Sequence, residues 1–297
     1  MKKPIKIEGI FPALATSFKN TGEVDLEGVR KNIEFCLDSG CSGVTVLGST
    51  GEAINLDKEE RHEITKLAVE ICHQCGKLVI AGTGAATTKD AVSLTQDAMD
   101  DGADAALVIT PFNNIPNHKG LIAHYKAVCS VGIPVILYNL PSHTGVDINF
   151  FTFQELIEIP NVIGMKESSG NMALMANMIK AYGDDVTLFT GCDNLTLQIF
   201  SMGAKAAILA IANIAPKEVV SILDSVLKND LESARETYYQ ILPIADAISE
   251  EENFPATVKA AIDLLGRSVG DPRMPITPVS EEGRAAIKEA LVKSGLL

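Results

Sequence analysis

Eight times in its first ~228 residues the chain repeats one unit: an apolar run of strand length, a turn of small polar residues, and an amphipathic helical stretch. The runs fall at 9–16, 43–47, 77–81, 105–109, 134–138, 162–166, 186–189 and 206–211. Apolar runs that do not alternate with polar residues belong to strands covered on both faces, as in parallel sheets wrapped by helices. Starts roughly 20 to 35 residues apart leave room for one helix each, which predicts an α/β protein with a (β/α)8 TIM barrel. A doubly wound open sheet uses the same units. Gly82-Thr83-Gly84 supplies half of the dinucleotide fingerprint that fold can carry, but the third glycine and the closing acidic residue are missing, so no dinucleotide site is expected.

The helical stretches carry their own punctuation. Asp25 precedes Leu26, Val29, Ile33 and Leu37 on one face, and Asp57 is placed to cap a helix carrying Ile64, Leu67 and Ile71. Beyond the eighth unit the alternation stops. Helical spacing takes over at 231–247, 257–265 and 281–293, with Pro272, Pro275 and Pro278 in the last connector. The expected organisation is a barrel over 1–228 that carries the active site, followed by a C-terminal helical region over 229–297.

In such barrels the loops after the strands form the active face. Ser49 and Thr50 follow the second strand, Thr110 the fourth, Tyr138 and Asn139 the fifth and Gly191 the seventh, while Ile208 lies in the eighth. The sixth ends in Lys166. Lysine is seldom buried without a partner, so an amine there either threads its stem to water or serves as a nucleophile, and this segment alone favours the first. Neighbouring strands lie about 4.8 Å apart, which lets Tyr138 and Lys166 meet.

Other chemistries find less support. With 25 basic and 38 acidic residues the net charge is −13, which disfavours nucleic acid and anionic membrane and requires local donors for any anionic substrate. No metal site is expected: the five histidines form no ligand pair at a strand end, and His118 and His124 are read onto the outer face of one helix. Cys72 and Cys75 have the spacing of a metal pair, but no second pair follows and a helix end accounts for them. Six scattered cysteines point to a reducing compartment. The basic start at 1–4 leads into no long apolar segment, so a signal peptide is not expected and the location is read as cytoplasmic. Gly48-Ser49-Thr50-Gly51 misses the spacing of a nucleophile elbow. A lone lysine among hydroxyls is the inventory of imine chemistry, in which an amine attacks a ketone, a hydroxyl moves protons, and short donors hold a carboxylate.

Three segments carry a resemblance to a known family. Gly48-Ser49-Thr50-Gly51-Glu52 resembles the pyruvate-carboxylate loop of the dihydrodipicolinate synthase and N-acetylneuraminate lyase family of Schiff-base aldolases, Tyr138-Asn139-Leu140-Pro141-Ser142 its catalytic-tyrosine segment, and Ile163-Gly164-Met165-Lys166-Glu167 its imine-lysine strand. The resemblance covers nearly the whole chain. It implies a class I aldolase in which Lys166 forms an imine with pyruvate, Tyr138 relays protons, and Thr50 and Ser49 hold the carboxylate. Gly191 and Ile208 join the substrate site. The enamine then adds to an aldehyde, or the reverse reaction releases one. No cofactor beyond the covalent pyruvate imine is implied, and the assembly is a homo-oligomer, dimer or tetramer.

The chain departs from the synthase pattern at two substrate positions. Asn113 stands where the synthases carry a relay tyrosine that reaches a neighbouring subunit, and an amide cannot pass a proton as a phenol does. His143 stands where they carry an arginine for the carboxylate of aspartate semialdehyde, and a neutral imidazole is no bidentate cation. Lys58, Ala86 and Asp90 match the feedback-lysine positions poorly, so lysine inhibition is not expected. The closest named activity is the synthase reaction. The alternatives are a 2-keto-3-deoxy-sugar-acid, hydroxy-oxoglutarate or N-acetylneuraminate-type aldolase, and a barrel that binds a keto acid without turning it over.

Overall fold

The apolar runs form eight parallel strands: β1 (Gly9–Pro12), β2 (Gly43–Val46), β3 (Leu78–Gly82), β4 (Ala105–Ile109), β5 (Val135–Asn139), β6 (Val162–Glu167), β7 (Thr187–Thr190) and β8 (Ala206–Leu209). The computed structural model describes residues 6–250 and 253–297, so the basic start at 1–4 lies outside it. Each strand pairs with its neighbour in sequence from β2 to β8, and β8 pairs with β1. Beyond Pro12 the chain bonds to both neighbours: the Ala13 N–H donates to Leu209 of β8, and the Leu14 N–H to Thr45 of β2, both at 2.8 Å. With the Ser42 N–H on Ile10 at 2.9 Å, this closes the ring and rules out the open sheet. β1 ends at Pro12, short of the expected Thr16.

The helices are α1 (Leu26–Asp38), α2 (Lys58–Gln74), α3 (Thr88–Asp100), α4 (His118–Cys129), α5 (Pro141–Thr144), α6 (Phe150–Leu156), α7 (Met172–Tyr182), α8 (Thr196–Ser201) and α9 (Pro216–Leu227), followed by α10 (Leu231–Glu250), α11 (Phe254–Leu264) and α12 (Glu281–Lys293). Asp57 caps α2 in a reciprocal capping box with Glu60, as the sequence suggested. Cys72 is buried in the last turn of α2 and Cys75 is its exposed C-cap. Two apolar layers result. Phe11, Ile80, Leu107, Ile136, Ile163 and Phe189 fill the barrel, and a larger set from the outward strand faces packs under the helices.

One reading needs correction. His124 does not lie on an outer face: it is 2% exposed, its Nδ1 is 3.0 Å from Thr88 Oγ1, and burial pushes its imidazole down to about 4. Its position three residues after Leu121 and four before Val128 puts it on the buried face of α4, which packs against α3 as well as the barrel. The short α5 was also absent from the sequence reading. Pro141 opens it, and Gly145, at φ +71°, ends it in the left-handed conformation favoured by glycine.

Candidate active site

A cavity of about 390 Å³ opens at the carboxyl ends of the strands. Lys166 and Tyr138 meet in it as direct register partners of β6 and β5, each 7% exposed. The lysine Nζ lies 4.3 Å from the centroid of the tyrosine ring, so the ring face carries the ammonium. Space for the lysine stem comes from Gly191 after β7: a Cβ there falls 2.4 Å from Lys166 Cε and 1.9 Å from Ser168 Oγ.

The strand ends that hold this pair are fixed from behind. Glu167, on the other face of β6, accepts from Asn139 Nδ2 at 2.8 Å and from the Ser169 N–H at 2.5 Å. Burial pushes its carboxyl above the usual range, and those two hydrogen bonds oppose the shift. Asn139 also donates to Asp147 Oδ1 at 3.0 Å and accepts from the Ile148 N–H at 2.9 Å. The ends of β5 and β6 are thereby tied together one residue beyond the Tyr138 and Lys166 pair.

Asp193, after β7, is the acid on the cavity wall. Burial pushes its carboxyl up to about 6, against a 3.0 Å hydrogen bond from the Ile211 N–H and the attraction of Lys166. Two hydroxyls on the wall, Thr45 Oγ1 and Ser168 Oγ, are buried without a hydrogen-bond partner among the described residues, which leaves them available to a bound molecule.

Of the residues expected in the site, Lys166, Tyr138, Thr50, Ser49, Gly191, Ile208 and His143 all line this cavity. His143 gets there on α5 and also faces an adjoining cavity of about 760 Å³. Asn113 does not join them. It is exposed on the loop between β4 and α4, at φ +67°, a conformation asparagine adopts more readily than most residues. Thr110 is buried beside the site and donates to Thr144 Oγ1 at 2.8 Å.

The sequence reading missed Asp193, Ser168, Ser169, Asn194, Ser249 and Phe254, which also line the cavity. The first four follow the ends of β6 and β7 within four residues, so reading past the strand ends could have found them. Ser249 and Phe254 come from α10 and α11, and no strand-end signal points to them. Among the described lining residues Lys166 is the one amine, and no arginine joins it.

Comparisons with known proteins agree along the length of the chain. The model of the dihydrodipicolinate synthetase family matches residues 6–294. A 4-hydroxy-tetrahydrodipicolinate synthase of Methanosarcina mazei is 40% identical over 293 residues, covering 98% of this chain and 99% of that one. The enzyme of that name from Archaeoglobus fulgidus is 38% identical over 286 residues, 96% of this chain and 97% of its own. Among solved structures, the dihydrodipicolinate synthase of Aquifex aeolicus superposes with a TM-score of 0.92 at 37% identity, over 98% of this chain and 99% of that one. A chloride-inhibited dihydrodipicolinate synthase from Acinetobacter baumannii, solved with pyruvate, reaches 0.94 at 33% identity over 98% and 100%.

Proposed function

The chain belongs to the dihydrodipicolinate synthetase family, and on that footing we propose that it is a pyruvate-dependent class I aldolase whose closest named activity is 4-hydroxy-tetrahydrodipicolinate synthase. The observation that carries this reading is Lys166, buried at a strand end with its amine on the Tyr138 ring, in a cavity with no other lysine or arginine among its described lining residues. The solved relative with pyruvate supports the choice of keto acid.

In this reading the neutral Lys166 Nζ attacks the keto carbon of pyruvate, forming a C–N bond while the carbonyl oxygen takes a proton. Water then leaves to give the iminium. Loss of a methyl proton gives the enamine, whose terminal carbon forms the new C–C bond with the aldehyde as the aldehyde oxygen is protonated. Hydrolysis returns the lysine. Tyr138 relays the protons, and Thr50, Ser49 and the N–H groups of their loop hold the carboxylate. No cofactor other than the covalent pyruvate takes part. Exposed Asn113, with Ile115 exposed two residues further on and Ile54 exposed in the loop after β2, fits a homo-oligomer in which a second copy covers these loops. Free thiols at all six cysteines fit a cytoplasmic location.

A second acceptor class is favoured by one observation. The wall offers Ser142, Ser168, Ser169, Asn194 and Ser249, neutral hydrogen-bonding groups that, with the imidazole of His143 beside them, suit an uncharged hydroxylated aldehyde as well as an anionic one. Incubation with pyruvate and borohydride is expected to add one reduced pyruvate at Lys166, read by peptide mass, and an unmodified Lys166 refutes the imine. Rates with aspartate semialdehyde and with keto-deoxy sugar acids then assign the acceptor. Pyruvate binding without turnover of either reduces the protein to a keto-acid binder. Tyr138→Phe keeps the ring face and removes the hydroxyl, so kcat is expected to fall by about 10² to 10³ while the protein still binds pyruvate. Steady-state kinetics against pyruvate checks this, and a wild-type kcat removes Tyr138 from the relay.

A further inference from the structure

A second cluster of buried charge lies outside the cavity, and none of the steps above uses it. Lys259 of α11 and Glu52, at the end of the loop after β2, are 2% and 1% exposed, with Nζ 2.7 Å from Oε1. The other carboxylate oxygen, Oε2, accepts a 2.8 Å hydrogen bond from the Arg273 N–H. The Lys259 ammonium lies 4.0 Å from the centroid of the Phe18 ring and donates to the Asp271 carbonyl at 3.3 Å. The Arg273 side chain reaches further round the loop, donating to the carbonyls of Asn55 at 2.8 Å and Gly22 at 2.9 Å and pairing with Glu60. Burial holds the Lys259 ammonium below the usual lysine range, with Glu52 opposing. A buried pair of this kind adds little net stability over apolar residues of the same size, so its place needs another account.

It grips a loop held in an unfavourable conformation. Leu47 and Glu52 stand at φ +59° and +53°, a left-handed geometry that costs a residue with a side chain about 1 kcal/mol. Between them lie Ser49 and Thr50. Within the loop the Gly51 and Ala53 N–H groups donate to the Gly48 carbonyl at 3.1 and 3.3 Å and the Glu52 N–H to Ser49 at 3.0 Å, and from outside it Thr16 Oγ1 donates to the Gly51 carbonyl at 2.6 Å. A carboxylate anchored at both oxygens fixes the backbone of Glu52, and with it the direction in which Ser49 and Thr50 present their donors.

We propose that the Lys259 and Glu52 pair positions the loop for recognition of the pyruvate carboxylate, so that the C-terminal helices set the donors of the barrel's second loop. Neither residue lines the wall next to Lys166 with its charged group; both act through Ser49 and Thr50 as positioning residues. The proposal rests on the reading that Ser49 and Thr50 hold the carboxylate, which Thr50→Val tests separately.

The experiment is borohydride trapping at Lys166 as a function of ketone concentration, with pyruvate and with hydroxyacetone, a ketone that lacks the carboxylate. Lys259→Met is expected to need about tenfold more pyruvate for half-maximal trapping, with an unchanged plateau and a wild-type response to hydroxyacetone. Glu52→Gln retains an acceptor for the Arg273 N–H and is expected to shift the same way by less. Wild-type half-saturation by pyruvate in both variants overturns the proposal. Equal weakening towards the two ketones overturns it as well, because it marks general loosening rather than carboxylate recognition. Should Lys259→Met fail to fold, Glu52→Gln decides alone. If Thr50→Val leaves pyruvate trapping untouched, the underlying carboxylate reading fails, and the fault is then identified there.

Discussion

Replacing Lys166 by alanine is expected to abolish pyruvate trapping by borohydride and to lower turnover by about 10⁴-fold or more, because no other amine among the described residues lines the cavity to take its place. Lys166→Arg is expected to be just as inactive. It keeps the charge on the Tyr138 ring, but a guanidinium stays protonated and cannot attack a carbonyl. The pair of variants therefore separates a nucleophilic role from an electrostatic one. Stability gives an independent readout. The ammonium is buried with the ring face as its close partner, and deleting it relieves desolvation while leaving space for water in an already open cavity. Lys166→Ala is expected to change the stability by no more than about 1 kcal/mol, followed by thermal unfolding. An inactive variant that is also unfolded gives no support to the nucleophile.

The legible parts of the molecule were those in which a single local cause decides the outcome. Non-alternating apolar runs become two-face-buried strands whichever helices cover them, so the eight strands were set by composition over a few residues. Lys166 and Tyr138 were legible because strand neighbours meet by register, and the register pair holds. His124 was misplaced because polarity was weighed above spacing, and spacing puts it on the packed face of α4. Ser249 and Phe254 reach the site from helices far along the chain, a placement that depends on how α10 and α11 dock and leaves no mark in local pattern. The Lys259 and Glu52 contact joins residues more than 200 positions apart, and the same limit hid it. Tertiary docking, rather than weak local preference, was the missing information.

Gly191→Ala is expected to lower kcat/KM for pyruvate by about 10² to 10³ while leaving the fold intact, and the reason is space alone. Gly191 does not stand in the left-handed region, so its backbone accepts alanine without strain. The added methyl meets the far end of the lysine stem, 2.4 Å from Cε beside the amine, and Ser168 Oγ at 1.9 Å. Both obstacles are side-chain atoms, and Ser168 Oγ gives up no hydrogen bond to the described residues when it turns away. The stem can yield by changing rotamer, but its amine then leaves the face of Tyr138, and a displacement of about 1 Å can cost about 10²-fold in rate. Gly164→Ala supplies the contrast from inside the same barrel. A Cβ there lies 2.1 Å from the Thr187 carbonyl oxygen, a backbone atom in the strand ladder that cannot step aside, so that variant is expected to lose stability by several kcal/mol. Single-turnover trapping and thermal unfolding of the two variants measure the difference. Wild-type trapping in Gly191→Ala means the lysine reaches the keto carbon by a path that does not pass this glycine, and the close approach of β7 to the Lys166 stem then has no part in the chemistry.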